Sequence, residues 1–115
     1  MIPVRLPGKA KPKNKYGAKK TVVDGITFAS KREAIRYCQL RDLERAGQIS
    51  SLKLQPRYPL TVNSLHVATY VGDFEYIESK SGRTVTEDSK GVRTRDFINK
   101  AKLFHALYGR EVLLT

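Results

Sequence analysis

Apolar residues along this chain recur with two different periods, and the changes of period mark out its elements. From Ser30 onward, Ala34, Tyr37, Cys38, Leu43 and Ala46 fall at helical spacing. Ser30 is a good N-cap, with Glu33 three residues on and Phe28 just before it. Gly47 then supplies the left-handed stop that ends many helices. A short piece before this helix, Thr21 to Phe28, is split by the turn pair Asp24-Gly25.

After Leu52 the period shortens to two. Leu54, Tyr58, Leu60 and Val62 predict a strand, and Pro56 and Pro59 within it argue for an edge or a bulge. Asn63 to Val67 has the composition of a turn or short connection. Thr69 to Ile77 predicts a second strand and Arg83 to Asp88 a third, joined through the loop residues Glu78 to Gly82. Helical spacing returns with Phe97, Ala101, Phe104 and Tyr108 on one face, between a Thr94 cap and a Gly109 stop. Glu111 to Thr115 predicts a last short strand. The order is helix, three strands, helix, strand. It predicts a single α/β domain with a central mixed sheet flanked by helices.

Composition adds a class of partner. The 115 residues suit one domain, and 40% apolar content is enough to build a core. A net charge of +11 favours polyanions, nucleic acid before an anionic membrane. Residues 1–20 are rich in Lys and Arg, contain no acid, and carry scattered Pro and Gly. They are expected to form a flexible basic arm preceding a folded domain at 21–115. Such an arm can grip phosphates through Lys15, Lys19 and Lys20, or simply be a solvated terminus. Cys38 is the only cysteine, so an internal disulfide and a cysteine-built zinc site are both excluded. With no apolar run of signal or membrane-spanning length, the expectation is a cytoplasmic protein away from membranes.

In so basic a chain the acids are oddly placed. Asp73, Glu75, Glu78, Glu87 and Asp88 crowd into the two strands around the Glu78–Gly82 loop. A hairpin centred between Lys80 and Ser81 sets Asp73 opposite Asp88, with Cβ atoms about 4.5–5.5 Å apart. Like charges so placed repel, and a divalent cation held between them reverses the penalty. If the strand continues, Lys90 points to the same face as Asp88. There it could assist an attacking water or stabilise phosphate charge, while Glu87 points to the opposite face. Two acids and a lysine on a hairpin are also the makings of a solvated salt-bridge cluster.

These residues also carry a resemblance. Tyr70-Val71-Gly72-Asp73-Phe74, followed by Glu87-Asp88-Ser89-Lys90-Gly91, resembles the restriction-endonuclease-like PD-(D/E)XK nucleases. Lys15 to Lys19, Ser30 to Ala34 and Leu54-Gln55-Pro56 resemble small phage-encoded members of that superfamily. The resemblance implies the same helix and strand order. It implies Mg²⁺ or Mn²⁺ on Asp73 and Asp88, with the Ser89 backbone carbonyl as a further ligand and Lys90 serving the attacking water. It also implies that Glu33 reaches the metal, directly or through water. Glu33 has the competing role of completing a capping box with Ser30. Gly72 stands where the superfamily's name records a proline.

Other residues carry two readings each. Gln55 lines the site or is an exposed strand residue. Arg93, Arg95 and Lys102 contact phosphate or form a solvated flank. His66 and His105 are expected to be ordinary surface residues, and Cys38 a packing residue of the first helix.

The function so implied is Mg²⁺-dependent hydrolysis of DNA phosphodiester bonds. The substrate could be branched DNA cut by a homodimer, by analogy with resolvases of the superfamily. The alternatives are an inactive nucleic-acid-binding module and a phage factor that binds a host protein.

Overall fold

The computed structural model describes residues 20–89 and 92–115. Most of the basic arm, with Lys15 and Lys19, therefore lies outside the described residues, as do Lys90 and Gly91. The elements run β1 (Thr21–Val23), β2 (Ile26–Phe28), α1 (Lys31–Arg45), β3 (Ile49–Leu54), β4 (Arg57–Val62), β5 (Leu65–Val71), β6 (Phe74–Glu78), β7 (Thr84–Asp88), α2 (Arg95–Tyr108) and β8 (Val112–Leu114). They form one α/β domain with two helices. The central sheet has the order β3-β6-β7-β8, antiparallel except for the parallel pair β7 and β8. Two small hairpins, β1-β2 and β4-β5, stand apart from it.

Both helices begin and end where local chemistry directs. The Ser30 hydroxyl accepts from the Glu33 N–H at 3.1 Å, and the Thr94 hydroxyl accepts from the Phe97 N–H at 3.1 Å. At the end of α1, Gly47 turns left-handed at φ 79°. The Gly47 N–H then reaches the Glu44 carbonyl and the Gln48 N–H the Leu43 carbonyl. This double closure satisfies carbonyls that the helix itself cannot.

Two apolar clusters lie on opposite faces of the sheet. α1 packs Ala34 and Leu40 over Phe28, Ile49, Phe74 and Tyr76. α2 packs Phe97 and Phe104 against Tyr58, Leu60 and Tyr70 of the β4-β5 hairpin. The α1 stripe expected from sequence is displaced by part of a turn. Leu40 is fully buried, whereas Leu43 is exposed at 37% and Ala46 is exposed. The Asp24 carboxylate ties the β1-β2 turn to this helix through Arg41 and the Tyr37 hydroxyl.

Two of the expected strands are each divided. The run from Leu52 to Val62 breaks after Leu54, where Gln55 takes φ 48° and Pro56 follows, so β3 and β4 enter different sheets. The run from Thr69 to Ile77 breaks at Gly72 and Asp73, separating β5 from β6. The expected turn at Asn63 to Val67 is confined to Asn63 and Ser64, both at positive φ, and β5 already begins at Leu65. With these breaks the inserted β4-β5 hairpin folds back over the sheet and delivers its own aromatic residues to the second cluster.

The hairpin register agrees with the one centred between Lys80 and Ser81. Phe74 faces Glu87, Glu75 faces Thr86, Tyr76 faces Val85 and Ile77 faces Thr84. Asp73 and Asp88 are the next opposed positions, at the open end of the pair.

Candidate active site

Three chain segments converge where β6 and β7 open. The first is the break between β5 and β6, which carries Asp73. Its backbone is tied on both sides: the Asp73 N–H donates to the Glu87 carbonyl at 2.9 Å, and the Gln55 N–H donates to the Asp73 carbonyl at 2.9 Å. Gln55 thus reaches the site through its backbone, and its left-handed conformation follows from the turn that makes this bond. Gly72 is packed closely. A Cβ there would stand 3.2 Å from Thr86 Cγ2 and 3.4 Å from the Glu87 carbonyl oxygen. A side chain at this position would fit only if the Thr86 methyl gave way by a few tenths of an ångström.

The second segment is the end of β7. Asp88 is 1% exposed. Its Oδ2 accepts from the Tyr70 hydroxyl at 2.5 Å, and its carbonyl accepts from the Thr115 N–H at 3.1 Å. Burial, then the Asp88 carboxylate beside it, pushes the Tyr70 phenol far above its ordinary range, so Tyr70 acts only as a neutral donor. The next residue, Ser89, donates its N–H to Asp73 Oδ2 at 2.7 Å.

The third segment is the first turn of α1. Glu33 is 8% exposed. Its Oε1 accepts from the Ala29 N–H at 3.2 Å, so the capping interaction reaches Ala29 rather than the expected Ser30 amide. The Glu33 carboxyl also lies beside the Asp73 carboxyl, close enough to raise its affinity for a proton.

Glu33, Asp73 and Asp88 therefore touch in series, with Asp73 in the middle. Burial first, and then the Glu33 carboxyl, push the Asp73 carboxyl up to about 7; the Ser89 amide and Asp88 act in the opposite sense. Three acids so arranged need either a proton or a cation to neutralise them. The donor set is all oxygen, which suits a hard divalent ion such as Mg²⁺ or Mn²⁺. Among the described residues no three His, Cys, Asp or Glu side chains form a preformed cage. Mg²⁺ is typically held by one or two carboxylates, with water and phosphate completing its shell, so Asp73 and Asp88 are sufficient in kind.

The opposite face of β7 bears another buried acid. Glu87 is 0% exposed and receives Arg36 through two bonds, Nε at 2.8 Å and Nη2 at 2.6 Å, with a further hydrogen bond from the Tyr76 hydroxyl. Arg36 stands one turn beyond Glu33 on α1, so this ion pair anchors to the sheet the helix that carries Glu33. As the alternation of β7 requires, Glu87 faces α1 while Asp88 faces Tyr70.

Sequence reasoning passed over Tyr70, Arg36 and Tyr76. Tyr70 sits within the motif segment, and Arg36 has helical spacing from Glu33; those were the available signals. Of the expected phosphate contacts, Arg93, Arg95 and Lys102 are exposed. Lys102 lines a cleft between α2 and β8 with Phe97 and Leu114, and is not part of the carboxyl cluster. Lys20 is exposed just ahead of β1. His66 and His105 are exposed, and Cys38 is partly buried on α1. No described helix is long and apolar enough to cross a membrane.

A family model described as "Protein of unknown function (DUF1064)" matches residues 13–115. No curated protein and no solved structure matches the chain.

Proposed function

The chain belongs to the DUF1064 family, whose function is unknown, and we propose that it is a metal-dependent nuclease of the restriction-endonuclease-like kind, cutting phosphodiester bonds in DNA in the cytoplasm. The observation that carries this reading is the series of buried Glu33, half-buried Asp73 and buried Asp88 at one end of the sheet in a chain of net charge +11. Such a concentration of acid is costly to fold and has a use as a cation site.

Mg²⁺ or Mn²⁺ on Asp73 and Asp88, with the Ser89 carbonyl as a further donor, would polarise the scissile phosphate and lower the pKa of an attacking water. Tyr70 fixes the Asp88 carboxylate by donating to Oδ2. The Ser89 amide does the same for Asp73. Glu33 is placed to accept a proton from Asp73 or to hold a water beside it. Lys90, two residues past Asp88, is the residue assigned to the attacking water by the motif alone.

The test is cleavage of labelled linear, single-stranded, flap and four-way-junction DNA in Mg²⁺ and in Mn²⁺, with EDTA as control. Wild type cuts at least one substrate, and Asp88→Ala and Lys90→Ala do not, while both still bind it. Cleavage that survives Asp88→Ala sinks the reading. Preference for the junction would favour a resolvase-like role and a homodimer, because each site cuts one strand.

A second reading is a nucleic-acid-binding module that does not cut. It is favoured by one observation: Tyr70 and the Ser89 amide each hydrogen bond to a carboxylate oxygen of one of the two aspartates.

A further inference from the structure

Beside the carboxyl cluster, a cleft of about 290 Å³ opens between α1 and the end of β8. Arg32, Ile35, Arg36 and Gln39 line it from the helix, and Ser89 and Thr115 from the strand ends. No acidic side chain lines it. We propose that this cleft is a phosphate subsite in which Arg32 holds a backbone phosphate of the nucleic-acid strand, adjacent to the phosphate at the carboxyl cluster. The inference rests on the nuclease reading of the neighbouring site for its substrate.

The two arginines of the cleft differ in what they have left to give. Arg36 is committed to Glu87 and to the Gln39 side chain. Arg32 uses one hydrogen bond among the described residues, from Nη2 to the main-chain oxygen of Thr115 at 2.9 Å. That bond draws its guanidinium across the cleft and leaves most of its five donors for another acceptor. The hydroxyls of Ser89 and Thr115 bond to each other at 2.8 Å in the same cleft, which leaves the proton of the accepting hydroxyl for an anion.

Ser89 joins the cleft to the cluster. Its amide holds Asp73 while its hydroxyl lines the cleft. On α1, consecutive residues divide the same way: Glu33 meets Asp73, and Arg32 enters the cleft. A strand laid across this end of the sheet would meet acid and cation side by side. A planar guanidinium with free donors suits a phosphate, which it can grip through two parallel bonds.

The experiment is equilibrium binding of labelled duplex DNA to the full chain in EDTA, across a series of salt concentrations. Wild type, Arg32→Ala and Arg32→Lys are compared, with Mn²⁺ titration and thermal melting of each. Arg32→Ala is expected to bind more weakly and to lower the slope of log affinity against log salt by about one. Arg32→Lys is expected to recover the slope but only part of the affinity. An unchanged slope in Arg32→Ala overturns the proposal. So does a loss of DNA binding that comes with equal losses of Mn²⁺ binding and thermal stability, which would make Arg32 a strut for α1. Arg32-dependent DNA binding by a wild type that neither cuts nor binds Mn²⁺ supports the cleft and retires the nuclease reading. Cutting by a wild type whose DNA affinity ignores Arg32 retires the cleft alone.

Discussion

Glu87 and Asp88 are neighbours in β7, both buried, and they meet opposite electrostatic surroundings. Glu87 turns toward α1, where the Arg36 guanidinium grips both of its oxygens and Tyr76 donates a further hydrogen bond. Asp88 turns the other way and finds Tyr70 and, beyond it, two more acids. One face of the strand uses charge to fasten a helix. The other gathers three acids at one end of the sheet. The lesson is that burial of an acid says little by itself; what it faces decides whether it holds the fold together or waits for a ligand.

That contrast can be broken first on its stable side. Glu87→Ala leaves Arg36 and the Tyr76 hydroxyl without their partner. Because Arg36 is 25% exposed, the cost should fall at the low end for a broken buried pair, about 3 kcal/mol. Urea denaturation should report it as a lower midpoint at unchanged slope.

Asp88→Asn tests the other face. The amide oxygen still accepts from Tyr70, and one negative charge leaves the cluster. Stability of the metal-free protein is expected to change by less than it does in Glu87→Ala, while cleavage is lost. A loss of stability as large as that of Glu87→Ala would erase the distinction between the two faces.

A pH slope gives the third test. The Asp73 carboxyl stands near 3.8 in the unfolded chain and at about 7 in the folded one. The folded state therefore binds the proton more tightly, and this contribution to stability is fully present below about pH 4. It is lost as pH rises through 7. Without metal, the melting temperature of wild type should fall between pH 5 and pH 8. Saturating Mg²⁺ should flatten that fall, because it takes over the proton's role. Asp73→Asn should remove the slope. A wild type whose melting temperature climbs over this range contradicts the arrangement of the cluster.

Much of the site could be read along the chain because its chemistry is local. Ser30 and Gly47 bracket α1, and the composition of the Glu78–Gly82 loop fixes the register that opposes Asp73 to Asp88. What could not be read depends on distance in sequence or on a single torsion. Alternation from Leu54 to Val62 gives no sign that Gln55 takes a positive φ, so one strand was expected where there are two. The apolar spacing of α1 did not single out Leu40, because which side of a helix is covered is set by the sheet beneath it. Arg36 and Glu87 lie 51 positions apart, and no local pattern couples them.

The parallel pairing of β7 with β8 has a consequence in time. A parallel partner cannot be reached by a tight turn; the chain must first run through α2. The Thr115 N–H that holds the Asp88 carbonyl, and the Thr115 hydroxyl that meets Ser89, arrive only after that crossing. Contacts so distant in sequence form late in folding. During synthesis, then, the hairpin bearing Asp73 and Asp88 emerges well before the strand that completes its surroundings, and the acid cluster reaches its final form only after β8 has been made.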